Sequence, residues 1–131
     1  MVYLLRLMEI SPAKILLIED TDFDQEVVTE CLKANGFVDV TVVISGEDAL
    51  KKLEKESFDA AIIDTNLPGI DGFKTCEKIK SMYPSVKVII VTGNPRAVNF
   101  PEAQKVKSDG YTVKTADCAD IIWNLRRSLA H

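Results

Sequence analysis

Short apolar runs alternate with amphipathic stretches along the whole chain. The runs are residues 15–18, 40–44, 60–63, 88–91 and 111–113. Several are nearly continuous and rich in Val and Ile, as expected of strands covered on both faces of a parallel sheet. Helical patterns fill the gaps between them. Phe23, Val27, Cys31 and Ala34 recur at three or four residues behind a capping candidate, Asp22, with Gln25 three later and Gly36 as a stop. Ser45 precedes a second stripe, Ala49, Leu50 and Leu53, while Phe73, Cys76 and Ile79 form a third that Pro84 ends. Ile121, Ile122, Leu125 and Leu129 follow Asp117, with Arg126 and Arg127 at the end that favours cations. This alternation predicts a doubly wound α/β sheet with right-handed crossovers.

The fourth crossover breaks the rhythm. Pro95 and Pro101 both fall in it, and a proline inside a helix costs about 3 kcal/mol. A loop over 96–100 followed by a short helix with Pro101 at its first position is expected.

Composition narrows the possibilities. The chain has 131 residues, 47% hydrophobic and 27% charged, which is ordinary usage for one soluble domain and excludes disorder. Sixteen basic against twenty acidic residues give −4, so no broad basic surface exists for nucleic acid. Cys31, Cys76 and Cys118 form no C-x-x-C pair and read as buried thiols in a reducing, cytoplasmic setting. The one histidine is His131, which excludes a Ser-His-Asp enzyme, a His-ligated zinc site and a phosphorylatable core histidine. The first ten residues, MVYLLRLMEI, are apolar but interrupted by Arg6 and Glu9. They are too short for a membrane span and lack the charge order of a signal peptide. An extra strand, a partner-binding arm and an upstream start ahead of Met8 are the three readings. The expected organisation is an extension over 1–12 and one domain over 13–131, with no output domain following.

Polar residues wait at the ends of four strands: Glu19 and Asp20, Asp64, Thr92 and Gly93, and Lys114. In an open doubly wound sheet, ligands bind outside the carboxyl ends of the strands. If the first and third strands are neighbours, Asp20 and Asp64 converge there. Carboxylates so close repel one another unless a cation sits among them, and an oxygen-only set suits Mg²⁺ or Mn²⁺. Asp64 would be the nucleophile for a phosphoryl group, with Lys114 and Thr92 receiving its oxygens. Each residue taken singly has a plainer role, as a helix cap, a turn former or a solvated lysine. Their coincidence at four strand ends favours chemistry.

The motifs ILLIED (15–20), AAIIDTNLPGIDG (60–72), VIIVTGN (88–94) and GYTVK (110–114) resemble those of the receiver domains of two-component response regulators. The resemblance covers about residues 13–130. It implies a five-stranded, flavodoxin-like parallel sheet of order 2-1-3-4-5 with Asp64 as the phosphorylation site. It further implies Mg²⁺ on Asp20, Asp64 and the backbone carbonyl of Asn66, with Glu19 supporting the metal through water. Thr92 and Tyr111 would be the switch, Lys114 the partner of the phosphoryl group, and Asn66 and Asn94 the positions that tune its hydrolysis. The implied partners are a histidine kinase or phosphotransfer protein as donor and a downstream target protein, without direct contact to nucleic acid or membrane; a homodimer is compatible. Such a domain catalyses its own phosphotransfer and dephosphorylation rather than turning over a separate substrate.

Three departures stand out. The family usually has Lys-Pro where this chain has Lys114-Thr115, and a non-proline peptide bond defaults to trans. Gly93 replaces a small residue, often Ala. The broken fourth helix alters the face that the family uses for output and dimerisation, so signalling through an unusual version of that face, or another face, is expected. Other readings fare worse. Asp20-Thr21-Asp22 resembles the D-x-D of haloacid-dehalogenase-type phosphatases, but the later acidic pair and the cap domain are missing. An EF-hand fails at Gln25 and Cys31, and flavin binding lacks a Gly-rich phosphate loop. The remaining competitor is a receiver fold that regulates by protein contact alone.

Overall fold

The computed structural model describes residues 10–115 and 117–130. The N-terminal readings, Met8 included, fall mostly outside these residues, as does His131. Eleven segments follow in order: β1 (Ser11–Ile18), α1 (Asp22–Ala34), β2 (Phe37–Val43), α2 (Gly46–Lys55), β3 (Ala60–Asp64), α3 (Gly72–Met82), β4 (Lys87–Thr92), a 3₁₀ turn (Pro95–Ala97), α4 (Phe100–Lys105), β5 (Gly110–Val113) and α5 (Ala119–Leu129). The strands form one parallel sheet in the order β2-β1-β3-β4-β5. β1 and β3 are therefore neighbours, with Ile18 beside Ile63. β1 starts two residues before the expected domain boundary, because the Ser11 amide donates to the Gly36 carbonyl.

Alternate side chains of the central strands feed two cores. Ile15, Leu17, Ile62, Ile89 and Val91 pack with Val28 and Leu32 of α1 and Ile121 and Leu125 of α5. Leu16, Ile18, Ile63, Val88 and Ile90 pack with Ala49 and Leu53 of α2 and Cys76 and Ile79 of α3. A fully buried aliphatic side chain contributes about 1.5–3 kcal/mol, so these layers fix the register of the sheet and the positions of its strand ends. Among the described residues no helix is long and apolar enough to cross a membrane.

Some local expectations hold and others shift. Ser45 caps α2 by accepting from the Asp48 amide at 3.1 Å, and Gly36 closes α1 at φ 89°. Thr21, rather than Asp22, caps α1 and accepts from the Asp24 amide. Phe23 is 74% exposed, and the buried stripe of α1 is Val28 and Leu32 with Val27 and Cys31 beside it. Sheet packing rotates this helix away from the Phe23–Ala34 line. Pro101 takes the second position of α4 rather than the first, since Asn99 caps the helix by accepting from the Glu102 amide at 3.2 Å.

Asp71 and Gly72 open α3. Asp71 accepts from the Lys74 amide at 2.8 Å, and a Cβ on Gly72 would lie 2.3 Å from the Asp64 carbonyl oxygen. The helix thus rests directly on the backbone of the residue at the sheet's mouth. Gly72→Ala is expected to cost about 1–3 kcal/mol through overpacking, measured as a lower midpoint in urea.

Candidate functional site

Glu19, Asp64, Thr92 and Lys114 reach one place because β1, β3, β4 and β5 end side by side. Glu19 is 1% exposed, Thr92 2% and Asp64 8%. Lys114 is anchored through its backbone amide, which donates to the Thr92 carbonyl at 2.9 Å. No cis peptide occurs among the described residues, so the bond from Lys114 to Thr115 is trans. The lysine still reaches the sheet's mouth. Its Nζ lies 3.1 Å from Asp64 Oδ2, 2.8 Å from Asp24 Oδ2 and 2.5 Å from Glu19 Oε1.

Asp24 is the residue that sequence reasoning missed. It stands in the first turn of α1, where an acid reads simply as complementing the helix dipole. The helix turns it back over the strand ends, and Glu19, Asp24 and Asp64 place oxygens within 4.8 Å of one another. Asp20 is exposed and outside that cluster. The reason is local: the Glu19 amide donates to the Val43 carbonyl at 3.0 Å, so the strand register persists through Glu19 and sends that side chain inward.

The electrostatics follow from three carboxylates around one ammonium. Burial pushes the Glu19 carboxyl well above the usual carboxylate range, against the hydrogen bond from Lys114, and the nearby Asp64 adds to the rise. Burial acts to lower the pKa of Lys114, but the hydrogen bonds to Asp24, Glu19 and Asp64 outweigh it and hold the ammonium above its ordinary value. Lys114 in turn lowers the pKa of Asp24. Negative charge remains in excess if all three acids ionise. Oxygen-only donors fit a hard divalent ion such as Mg²⁺, which binds oxygens at about 2.0–2.1 Å.

The other expected residues take definite places. The Asn66 amide donates to Asp64 Oδ1 at 3.0 Å, which fixes one carboxylate oxygen; the Asn66 side chain is exposed. The Thr92 hydroxyl accepts from the Asn94 amide at 3.3 Å. The Asn94 side-chain oxygen accepts from Arg96 at 3.0 Å and caps the 3₁₀ turn. Tyr111 is half-buried, its ring 5.8 Å from Phe73 and 5.4 Å from Phe100. Its hydroxyl accepts from the Asn99 amide at 2.9 Å, so the aromatic candidate is tied to the cap of the shortened α4.

Gly93 is exposed, a Cβ there would meet nothing within 4 Å, and its φ is not left-handed. Gly93→Ala should stabilise by about 0.4–1 kcal/mol by restricting the unfolded chain. Calorimetry should show a midpoint higher by a few degrees.

The doubly wound parallel sheet carries acids, a threonine and a lysine at the carboxyl ends of its strands, and comparison with known proteins gives this arrangement a family. The chain belongs to the response regulator receiver domain family, whose model matches residues 15–126. It is 27% identical over 116 residues to the transcriptional regulatory protein ZraR of Escherichia coli, a match covering 88% of this chain and 26% of ZraR. The chain thus spans about a quarter of that relative's length. A CheY-like receiver domain protein from Methanospirillum hungatei superposes with a TM-score of 0.81 at 26% identity, covering 92% of this chain and 95% of the other. The BeF3-activated receiver domain of DrrB, a Thermotoga maritima protein, gives 0.76 at 26% identity, over 91% and 98% of the two chains.

Proposed function

We propose that Asp64 accepts a phosphoryl group from a histidine kinase or phosphotransfer protein, and that Thr92 and Tyr111 convey the change to a target protein in the cytoplasm. The observation that carries this reading is the meeting of buried Asp64 and Thr92 with Lys114 at the mouth of the sheet. A carboxylate oxygen of Asp64 attacks phosphorus, the P–O bond forms, and the P–N bond to the donor imidazole breaks in line. Lys114 offers its ammonium to the arriving oxygens, and Asp24 and Glu19 hold that ammonium in place until then. The Thr92 hydroxyl, paired with Asn94 at 3.3–3.4 Å, turns to the phosphoryl group. That movement frees space for Tyr111 to leave the Asn99 amide and rotate inward, which carries the signal to the α4 side.

Asp20, Asp64 and the Asn66 carbonyl would hold Mg²⁺, with Glu19 acting through water. When bound, the ion neutralises charge on the phosphoryl oxygens and on the acids. Support comes from the carboxylates of Asp64 and Glu19, two members of the acidic cluster, and from Asp20, which follows Glu19 directly. Asn66 and Asn94 border the phosphoryl position and tune its hydrolysis through the water they admit.

Acetyl phosphate with Mg²⁺ tests the proposal. Intact mass should rise by one phosphoryl group, and EDTA should prevent it. Mg²⁺ at one hundred times its Kd should also stabilise the fold by about 2.7 kcal/mol, read as a higher midpoint by calorimetry. An unchanged mass would favour the module that works by protein contact alone.

A further inference from the structure

A lysine ammonium has three N–H donors, and on Lys114 each of them meets a carboxylate: Glu19 at 2.5 Å, Asp24 at 2.8 Å and Asp64 at 3.1 Å. The contact with Asp64 is the longest. Glu19 and Asp64 serve the proposed phosphoryl and metal chemistry, whereas Asp24 has no part in it beyond holding the ammonium. Its place is nevertheless built. The Asp24 amide donates to the Thr21 hydroxyl at 3.4 Å, and the next residue, Gln25, donates through its side chain to the Glu19 carbonyl at 2.8 Å. These bonds pin the first turn of α1 to the end of β1 and carry the Asp24 carboxylate over the strand ends. One of its oxygens lies within 4.8 Å of oxygens of Glu19 and Asp64. Its side chain is 33% exposed, and the hydrogen bond from the ammonium lowers its pKa, so it is charged at neutral pH.

We infer that Asp24 is a positioning residue that slows phosphoryl arrival: it withholds the Lys114 ammonium from the incoming oxygens and sets a negative charge beside the acceptor. The inference rests on Asp64 being that acceptor. With each N–H engaged, Lys114 must release a carboxylate before it can donate to a phosphoryl oxygen. Asp64 gives up its share only as the new bond forms, because its oxygens then lose the carboxylate charge. Asp24 keeps its charge throughout and goes on competing for the ammonium. A phosphoryl donor is itself an anion, and like charges a few ångströms apart repel appreciably at a protein surface. The partial exposure of Asp24 lets salt screen part of that repulsion. Neutralising Asp24 therefore frees Lys114 and removes a like charge, and both effects raise the rate.

The test follows initial labelling rates by intact mass, at saturating Mg²⁺, for the wild-type protein and for Asp24→Asn, Asp24→Ala and Asp24→Glu. The donors are acetyl phosphate, a dianion at neutral pH, and phosphoramidate, which carries one negative charge less. Asp64 takes the phosphoryl group from either, and acetate or ammonia leaves. An acid in the first turn of a helix contributes little to folding, and calorimetry verifies that each variant is folded. Asp24→Asn and Asp24→Ala should label about tenfold faster than wild type with acetyl phosphate, as removal of one like charge at this range implies. The gain should be smaller with phosphoramidate and should shrink as salt is added. Asp24→Glu, which keeps the charge, should stay near the wild-type rate. A change of packing alone would treat both donors alike and ignore salt, so an equal, salt-independent gain overturns the inference. Equal or slower labelling of the neutral variants also overturns it, and leaves Asp64 as the acceptor. No label on any of the proteins overturns the acceptor reading and this inference together.

Discussion

Asp64→Asn is expected to abolish the phosphoryl adduct completely under conditions that convert the wild-type protein. An amide oxygen lacks the charge and the lone-pair basicity to displace an imidazole from phosphorus. Glu19 and Asp24 share the Lys114 ammonium with Asp64 at 2.5 and 2.8 Å and still hold it in the variant. The fold should survive the change, because Lys114 keeps these two partners and the hydrophobic layers beneath are untouched. Intact mass and calorimetry on the same sample separate the outcomes. An unlabelled protein with a near wild-type midpoint supports Asp64 as the acceptor, whereas persistent labelling places the nucleophile elsewhere.

Lys80→Met should produce the largest loss of stability. Lys80 Nζ lies beneath the sheet, donating to Asp109 Oδ2 at 2.9 Å and to the carbonyls of Val86 and Pro84 at 3.0 and 3.2 Å. Asp109 also accepts from the Val88 amide at 2.8 Å, so one ion pair ties the end of α3 to the starts of β4 and β5. The two side chains are only 13% and 23% exposed. Removing one partner of a buried pair costs about 3–5 kcal/mol, and the residual exposure favours the lower figure. About 3 kcal/mol corresponds to a midpoint lower by roughly 10 °C in a domain of this size. Lys74→Met, which breaks an exposed pair with Glu77, should leave the midpoint where it is.

How much of this was legible in the sequence depended on the range of the interaction. All five strands showed as short apolar runs, most plainly the central β1, β3 and β4, because a strand covered on both faces has little choice of residue. Ser45 and Gly36 were readable because capping and chain reversal are local. The cap of α1 was assigned to Asp22 instead of Thr21, since the two are adjacent and both can accept from a helix amide. Phe23 misled for a different reason. A 3.6-residue period fits two stripes a fraction of a turn apart, and only packing against the sheet selects Val28 and Leu32.

The site shows the same division. Glu19, Asp64, Thr92 and Lys114 could be read as strand-end residues, but their convergence needed a strand order that periodicity does not supply; the family resemblance did. Asp24 escaped because a first-turn acid is ordinary on any helix. Its role arises from Lys114, ninety residues away. The Lys80–Asp109 pair escaped likewise, since it joins residues 29 apart.

The most direct measurement of the central claim is chemical location of the phosphoryl group. Protein labelled with acetyl phosphate and Mg²⁺ is reduced with borohydride, which converts an aspartyl phosphate to homoserine, and its peptides are sequenced by mass spectrometry. Homoserine at residue 64 alone is the expected result. Homoserine at residue 20 or 24, 2-amino-5-hydroxypentanoic acid at residue 19, or no reduced residue in a protein that carries the phosphoryl mass would contradict the assignment of Asp64.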